Sequence, residues 1–238
     1  SAIFLIAIQY LYVVLATITQ HFMNRKEWGL LITLAALNFT NIMDFMIMMP
    51  LGPQLMRLWG IEPKQFGLIV SAYTFSAGVS GLLGAFWMDK VDRKKALMIV
   101  YTGFLLGTFA CAFAPNYELL VTARIFTGMF GGILGALVLA IVGDIIPNER
   151  RATAMSIVMA AFSLASVLGV PFGLFLANLY TWNAPFLFLG GASALVMFAI
   201  MAFVPKMKSH IVQKADRTGG PFDTITMVMK NPNQLRAL

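Results

Sequence analysis

Apolar residues run without a regular polar interruption over six stretches of the chain, at about 28–50, 66–88, 95–114, 117–143, 153–177 and 184–204. A bilayer core about 30 Å thick needs roughly 20 apolar residues in a helix. Lipid offers no partner for backbone N–H and C=O groups, so only helices and closed barrels cross it. Barrel strands would read as alternating segments of about ten residues. These runs are continuous and longer, and they predict six transmembrane helices. Proline and charge separate them: Pro50, Gly52 and Pro53; Asp89 to Lys95; Pro115 and Asn116; Pro147 to Arg151; Trp182 to Pro185; and Pro205 onward.

Three regions follow: an apolar extension over 1–22, a six-helix unit over 23–205, and a polar connection over 206–238. The extension reads either as a seventh span or as sequence upstream of a natural start at Met23, since Met23, Asn24, Arg25 and Lys26 make a short basic leader. No Lys or Arg precedes it and no small-residue cleavage pattern follows it. The connection is expected to lead toward a second half.

Composition strengthens this picture. The chain of 238 residues is 59% hydrophobic and 11% charged, against about 25% charged in ordinary soluble domains. The formal charge of +7 is not the footprint of a nucleic-acid binder, because the basic residues sit in the gaps between apolar runs. Arg25, Lys26, Lys90, Arg93, Lys94, Lys95, Arg150 and Arg151 share one side with the Lys and Arg of the connection, while the other side has Arg57 and Lys64. Lys and Arg accumulate on cytoplasmic loops, so both ends of the six-helix unit are expected in the cytoplasm. Cys111 is the only cysteine, which excludes an intramolecular disulfide and a cysteine zinc site. His21 and His210 both fall outside the spans, so a membrane enzyme with converging catalytic groups is disfavoured.

Two charges lie inside the spans, Asp44 in the first and Arg124 in the fourth. On insertion scales each costs about 2.5–3.5 kcal/mol at mid-membrane. Asp44 precedes Pro50 by six residues and Arg124 follows Tyr117 by seven, which places them roughly 9 and 10 Å below the same surface at 1.5 Å per residue. They are expected to pair, as a static clamp or as groups that change partner or protonation during a cycle. Asn38, Asn41 and Asp44 recur every third residue and suggest a polar flank on the first helix, for substrate contact or for interhelical hydrogen bonds. Met43, Met46, Met48 and Met49 read as lipid-facing filler or as a pliable wall for apolar cargo.

The segment Ala85, Phe86, Trp87, Met88, Asp89, Lys90, Val91, Asp92, Arg93, Lys94, Lys95 resembles the signature between helices two and three of the major facilitator superfamily. It matches at Asp89, Arg93 and Lys94, conservatively at Lys90, and departs at Ala85 and Asp92, where the family has glycine. The resemblance implies a cytoplasmic gate in which Asp144 serves as the acid at the inner end of helix four. Asp89 and Arg93, four apart, are also spaced to pair on one helix end. Arg124 followed by Gly128, Gly131, Gly132 and Gly135 resembles the family's helix-four signature, the glycines serving close packing. Gly169, Val170, Pro171, Phe172, Gly173 is similar to the helix-five signature of proton-linked exporters, with altered spacing, and also reads as a packing kink. Trp182 and Phe186 resemble the entry to helix six, with Asn183 in place of Arg.

The resemblance spans about 25–235 and implies the N-terminal half of an all-helical fold, two inverted three-helix repeats, working by rocking against a second six-helix half. It implies proton-coupled efflux of a small amphipathic compound, drug or sugar, as in the drug:proton antiporter and arabinose-efflux branch, with Asp44 as proton carrier. A bacterial inner membrane is the expected location. A uniporter or symporter of the same fold, or a nontransporting receptor or scaffold, remains open. No cofactor, metal or nucleic acid is implied; the implied partners are the substrate, protons, the bilayer and the second half.

Overall fold

A computed structural model describes residues 24–88 and 91–205. The 1–22 extension, Met23, Asp89, Lys90 and the 206–238 connection lie outside the described residues. Among the described residues, six helical units are long and apolar enough to cross a membrane. Span 1 comprises Arg25–Met46 and Met48–Trp59, span 2 is Pro63–Met88, span 3 Arg93–Ala112 and span 4 Tyr117–Ile145. Span 5 comprises Asn148–Leu164, a π turn at Ala165–Gly169 and Val170–Leu179, and span 6 is Ala184–Phe203.

The first boundary differs from the sequence expectation. Pro50 does not end span 1, which continues to Trp59. Pro50 falls in the first turn of the Met48–Trp59 segment, where proline is tolerated because those N–H groups have no partner within the helix. Its missing donor leaves a break at Ile47 rather than a stop. The stop is Gly60, the residue with positive φ (61°) among those described, a left-handed cap that favours glycine. Levelling Asp44 and Arg124 from Pro50 therefore used the wrong surface, although the two residues do meet.

The packing carries the internal repeat. Span 2 packs on span 4 and span 5 on span 1; span 3 packs on span 4 and span 6 on span 1; span 3 also meets span 6, and span 1 meets span 4. Exchanging spans 1–3 for spans 4–6 leaves this set of neighbours unchanged, and three crossings invert direction, so the repeats are antiparallel.

Two apolar clusters fill the bundle. One, at the end rich in Lys and Arg, gathers Leu30 to Leu37, Tyr101, Phe104, Leu134 to Val142, Val158 and Ile200. The other, toward the opposite end, gathers Met43 to Leu55, Cys111, Leu120, Ala123, Ala165, Phe186 and Leu189. Met43 and Met48 thus belong to the core, whereas Met49 is exposed. Between the clusters lies a layer of buried polar groups that includes Asn38, Thr40, Asp44, Thr108, Arg124 and Thr127.

Spans 2 and 4 approach backbone to backbone through glycine. A Cβ on Gly132 would collide with the carbonyl oxygen of Ala77 and lie 2.6 Å from its carbon, and a Cβ on Gly128 would lie 2.5 Å from the Tyr73 carbonyl oxygen. At Gly135 a Cβ would meet nothing within 4 Å. Gly132→Ala is therefore expected to destabilise the full-length protein by about 1–3 kcal/mol, the cost of overpacking. Gly135→Ala is expected to be neutral or stabilising by about 0.5–1 kcal/mol, since glycine is the poorer helix former. Equilibrium unfolding in mixed micelles measures both.

Candidate functional site

Asp44 and Arg124 form an ion pair at the polar layer. Arg124 Nη1 donates to Asp44 Oδ2 at 2.7 Å, with both side chains fully enclosed, and lies 3.3 Å from the Asp44 carbonyl oxygen. The other carboxylate oxygen accepts from Thr108 Oγ1 of span 3 at 3.2 Å. That hydroxyl also lies 3.1 Å from the Phe104 carbonyl, and its single proton serves one acceptor at a time. Arg124 is less completely satisfied: among the described residues its Nε and Nη2 have no hydrogen-bond acceptor. The face of the guanidinium is covered instead, with Cζ 4.3 Å from the centroid of the Tyr73 ring of span 2.

Asn41 belongs to this cluster. Its Oδ1 accepts from the Tyr73 hydroxyl at 3.2 Å and its Nδ2 donates to the Gly131 carbonyl at 3.4 Å. Asn38 does not: its Nδ2 donates to the Val158 carbonyl of span 5 at 3.1 Å. Residues three apart step back by about 60° around a helix, so Asn38 and Asp44 are about 120° apart. The expected flank therefore fans across four neighbouring spans, and Asn38 serves as an interhelical tie.

The fifth-span glycines pack against span 1 beside the pair. A Cβ on Gly173 would collide with Ile47 Cδ1, and one on Gly169 would lie 3.0 Å from Met43 Sδ. Pro171 is exposed and follows the π turn at Ala165–Gly169; π turns arise where a helix must absorb an extra residue. The segment packs against the part of span 1 that holds Asp44.

At the basic end, Arg93 Nε meets Asp144 Oδ2 at 3.1 Å, joining spans 3 and 4. Arg93 is the first residue of span 3; its expected pairing with Asp89 lies outside the described residues. Lys94 Nζ donates to the Met201 carbonyl of span 6 at 2.8 Å. Asp92, where the resembling signature has glycine, caps span 3 by accepting from the backbone of Lys94 at 2.9 Å and of Lys95 at 3.2 Å. An N-cap carboxylate replaces the tight turn.

Sequence reasoning missed Tyr73, Thr108 and the Arg150–Glu27 pair at 2.9 Å between spans 5 and 1. The rule that buried polar groups have partners, applied to hydroxyls within apolar runs as well as to charges, marks Thr108 and Tyr73.

Residues 34–237 match the family model described as Major Facilitator Superfamily. The chain belongs to the Major Facilitator Superfamily. It is 29% identical over 162 residues to the uncharacterized MFS-type transporter YfhI of Bacillus subtilis, covering 68% of this chain and 41% of that protein. It is 24% identical over 172 residues to a probable sugar efflux transporter of Helicobacter pylori, covering 72% and 42%. It is 27% identical over 175 residues to a gallate transporter of Pseudomonas putida, covering 74% and 39%. The chain thus spans about two fifths of the length of the curated relatives it matches. A bacterial homolog of the human lysosomal transporter Spinster, inward-facing and unoccupied, superposes with a TM-score of 0.66 at 18% identity, over 89% of this chain and 50% of that one. The human organic anion transporter MFSD10 superposes with a TM-score of 0.65 at 21% identity, over 77% of this chain and 49% of that one. This facilitator half is a multi-pass membrane protein, with six membrane-length helices among the described residues.

Removing one partner of a buried pair strands the other. Asp44→Leu alone is expected to cost about 3–5 kcal/mol, whereas Asp44→Leu combined with Arg124→Met recovers most of that loss, because apolar groups of similar volume replace a desolvated pair at little penalty. Unfolding of the full-length protein in mixed micelles measures the difference.

Proposed function

We propose that this facilitator half works with a second six-helix half as a secondary transporter that exports a small amphipathic compound, a drug or a sugar, in exchange for protons. Asp44 is the proton carrier. The observation that supports this reading is the fully enclosed Asp44–Arg124 pair, in which one guanidinium nitrogen holds the carboxylate while Nε and Nη2 stay without acceptors. A clamp built only for strength would use the two parallel hydrogen bonds that arginine offers a carboxylate. A single contact is easier to exchange.

The energetic step is local. A proton arriving from the outer side neutralises the Asp44 carboxylate, and the Arg124 charge is left desolvated without its counter-ion. That raises the free energy of this packing relative to the alternative arrangement, and a ligand or proton shifts an equilibrium by its differential affinity for the two states. Because Asp44 touches spans 3 and 4, and spans 1 and 5 interlock at Gly173, relief of the strain moves helices of both repeats. Departure of the proton toward the cytoplasmic side restores the pair.

Efflux as the direction rests on the resemblance of the Gly169–Gly173 segment to exporter signatures and on the names of relatives such as the probable sugar efflux transporter. The Lys and Arg distribution supports a cytoplasmic Arg93–Asp144 end, in our reading at a bacterial inner membrane, with Asp89, Lys90, Arg93, Lys94 and Asp144 as the gate. The 23–205 unit is the transporting half and 206–238 the connection to its partner half.

Full-length protein reconstituted in proteoliposomes tests the reading, with sugars and gallate as first probes. Counterflow without a gradient establishes transport. An outward proton gradient is expected to drive accumulation of substrate in the lumen against its own gradient, and Asp44→Asn is expected to retain counterflow while losing at least tenfold of the gradient-driven rate. Wild-type transport indifferent to the gradient makes the protein a uniporter; transport in the proton's direction makes it a symporter; no counterflow with any probe makes it a scaffold.

A further inference from the structure

Tyr73 lies among the buried residues of span 2, at 5% exposure, and it reaches two of the groups just described. Its ring covers the Arg124 guanidinium at 4.3 Å. Its hydroxyl donates to Asn41 Oδ1 at 3.2 Å, and Phe45 packs beside the ring with centroids 5.4 Å apart.

The ring is held there by absent side chains on span 4. A Cβ on Gly131 would collide with the Tyr73 hydroxyl and lie 2.9 Å from Asn41 Oδ1. A Cβ on Gly128 would collide with Ser76 Oγ and lie 3.0 Å from Tyr73 Cα. Gly131 thus makes room for the Tyr73 side chain and Gly128 for its backbone, on the helix that carries the arginine.

Arg124 donates to Asp44 through Nη1 alone, and among the described residues Nε and Nη2 have no acceptor. The aromatic face and the Cys111 thiol are its other electron-rich neighbours. A ring attracts a cation through its quadrupole, and the attraction is strongest where the cation is desolvated and otherwise unpaired. While Asp44 is ionised, the carboxylate at 2.7 Å neutralises much of the charge the ring sees. Once Asp44 is neutral, the ring faces a bare cation in a medium of low dielectric.

From this we infer that Tyr73 is the positioning residue that holds Arg124 in place while Asp44 is neutral, so that the ion pair reforms without the guanidinium having left its site. The inference rests on the reading of Asp44 as the proton carrier. The Asn41 hydrogen bond and the glycine pocket fix the ring; the ring fixes the arginine.

The titratable groups that meet here are Asp44 of span 1, Tyr73 of span 2, Cys111 of span 3 and Arg124 of span 4. Span 6 has no titratable side chain, and those of span 5, Glu149, Arg150 and Arg151, lie at its basic end. Asp44→Asn imitates the protonated carboxyl without changing any other of these groups.

A double-mutant cycle on the full-length protein tests the inference through equilibrium unfolding in mixed micelles, with no substrate needed. Tyr73→Leu removes ring and hydroxyl, and Tyr73→Phe removes the hydroxyl alone. Tyr73→Leu is expected to lower the folded-to-unfolded ratio at least tenfold more in the Asp44→Asn background than in wild type. Tyr73→Phe is expected to cost the same in both. In the Asp44 protein, the excess cost of Tyr73→Leu is expected to grow as pH falls through the titration of Asp44, and to be flat with pH in the Asp44→Asn background.

Equal cost of Tyr73→Leu in both backgrounds overturns the inference, because a ring that only fills space does not sense the carboxylate. A Tyr73→Phe variant that behaves like Tyr73→Leu overturns it as well, since the ring is then not the active part. Failure of the proton-carrier reading looks different: the excess cost in the Asp44→Asn background persists while the pH dependence with Asp44 present disappears.

Discussion

A charge that cannot reach water must find its opposite within the protein, and that requirement organises this facilitator half. The Asp44–Arg124 pair at 2.7 Å lies between two apolar clusters. Every element near it is shaped to serve the pair. Span 3 contributes Thr108 to the second carboxylate oxygen, span 2 contributes the Tyr73 ring, and span 5 sets a π turn and two glycines against the adjacent residues of span 1. An apolar core would hold six helices together with less specificity of register, because van der Waals packing alone leaves neighbouring registers close in energy. One buried pair with directional partners separates them.

The glycines make this possible in a second way. Lipid tails are as apolar as leucine, so helices in a bilayer associate by close packing and hydrogen bonding rather than by escape from water. Gly128, Gly131 and Gly132 let span 2 approach until backbone meets backbone, and the same approach brings Tyr73 to Arg124 and Asn41. The packing motif and the chemical site are therefore one feature: enlarging the glycines displaces the aromatic group as well as the helix.

Much of this was legible in the chain itself. Six apolar runs bounded by proline and charge predict six spans because hydrocarbon thickness imposes a length, and a carboxylate and a guanidinium inside such runs predict a pair because neither is tolerated alone. The family followed from charge patterns around Arg93 and glycine patterns after Arg124, and the match over 34–237 agrees with it. What escaped were the features decided by geometry around a helix. Pro50 looked like a terminus because proline usually stops helices, whereas a proline in a first turn only interrupts one. The three polar residues of span 1 looked like one flank because their spacing is regular, whereas a step of three drifts around the helix and sends Asn38 to span 5. Tyr73 and Thr108 were passed over because hydroxyls in apolar runs carry no formal charge.

The basic end obeys a different physics from the middle. There the groups are partly hydrated, Arg93 and Asp144 at 9% and 28% side-chain exposure, Arg150 and Glu27 at 18% and 19%, and such pairs gain little free energy each. Their arrangement matters more than their strength: spans 3 and 4, 5 and 1, and 3 and 6 are each tied by a side chain at the same end, and Arg151 caps span 4 through the Gly143 carbonyl at 2.7 Å. Weak hydrated ties exchange partners at small cost, whereas the enclosed pair changes state only with a proton or a compensating partner. A half built this way concentrates its energetic threshold in the middle of the bundle and holds its basic end by weaker ties, which is the distribution that the proposed rocking about a central site requires.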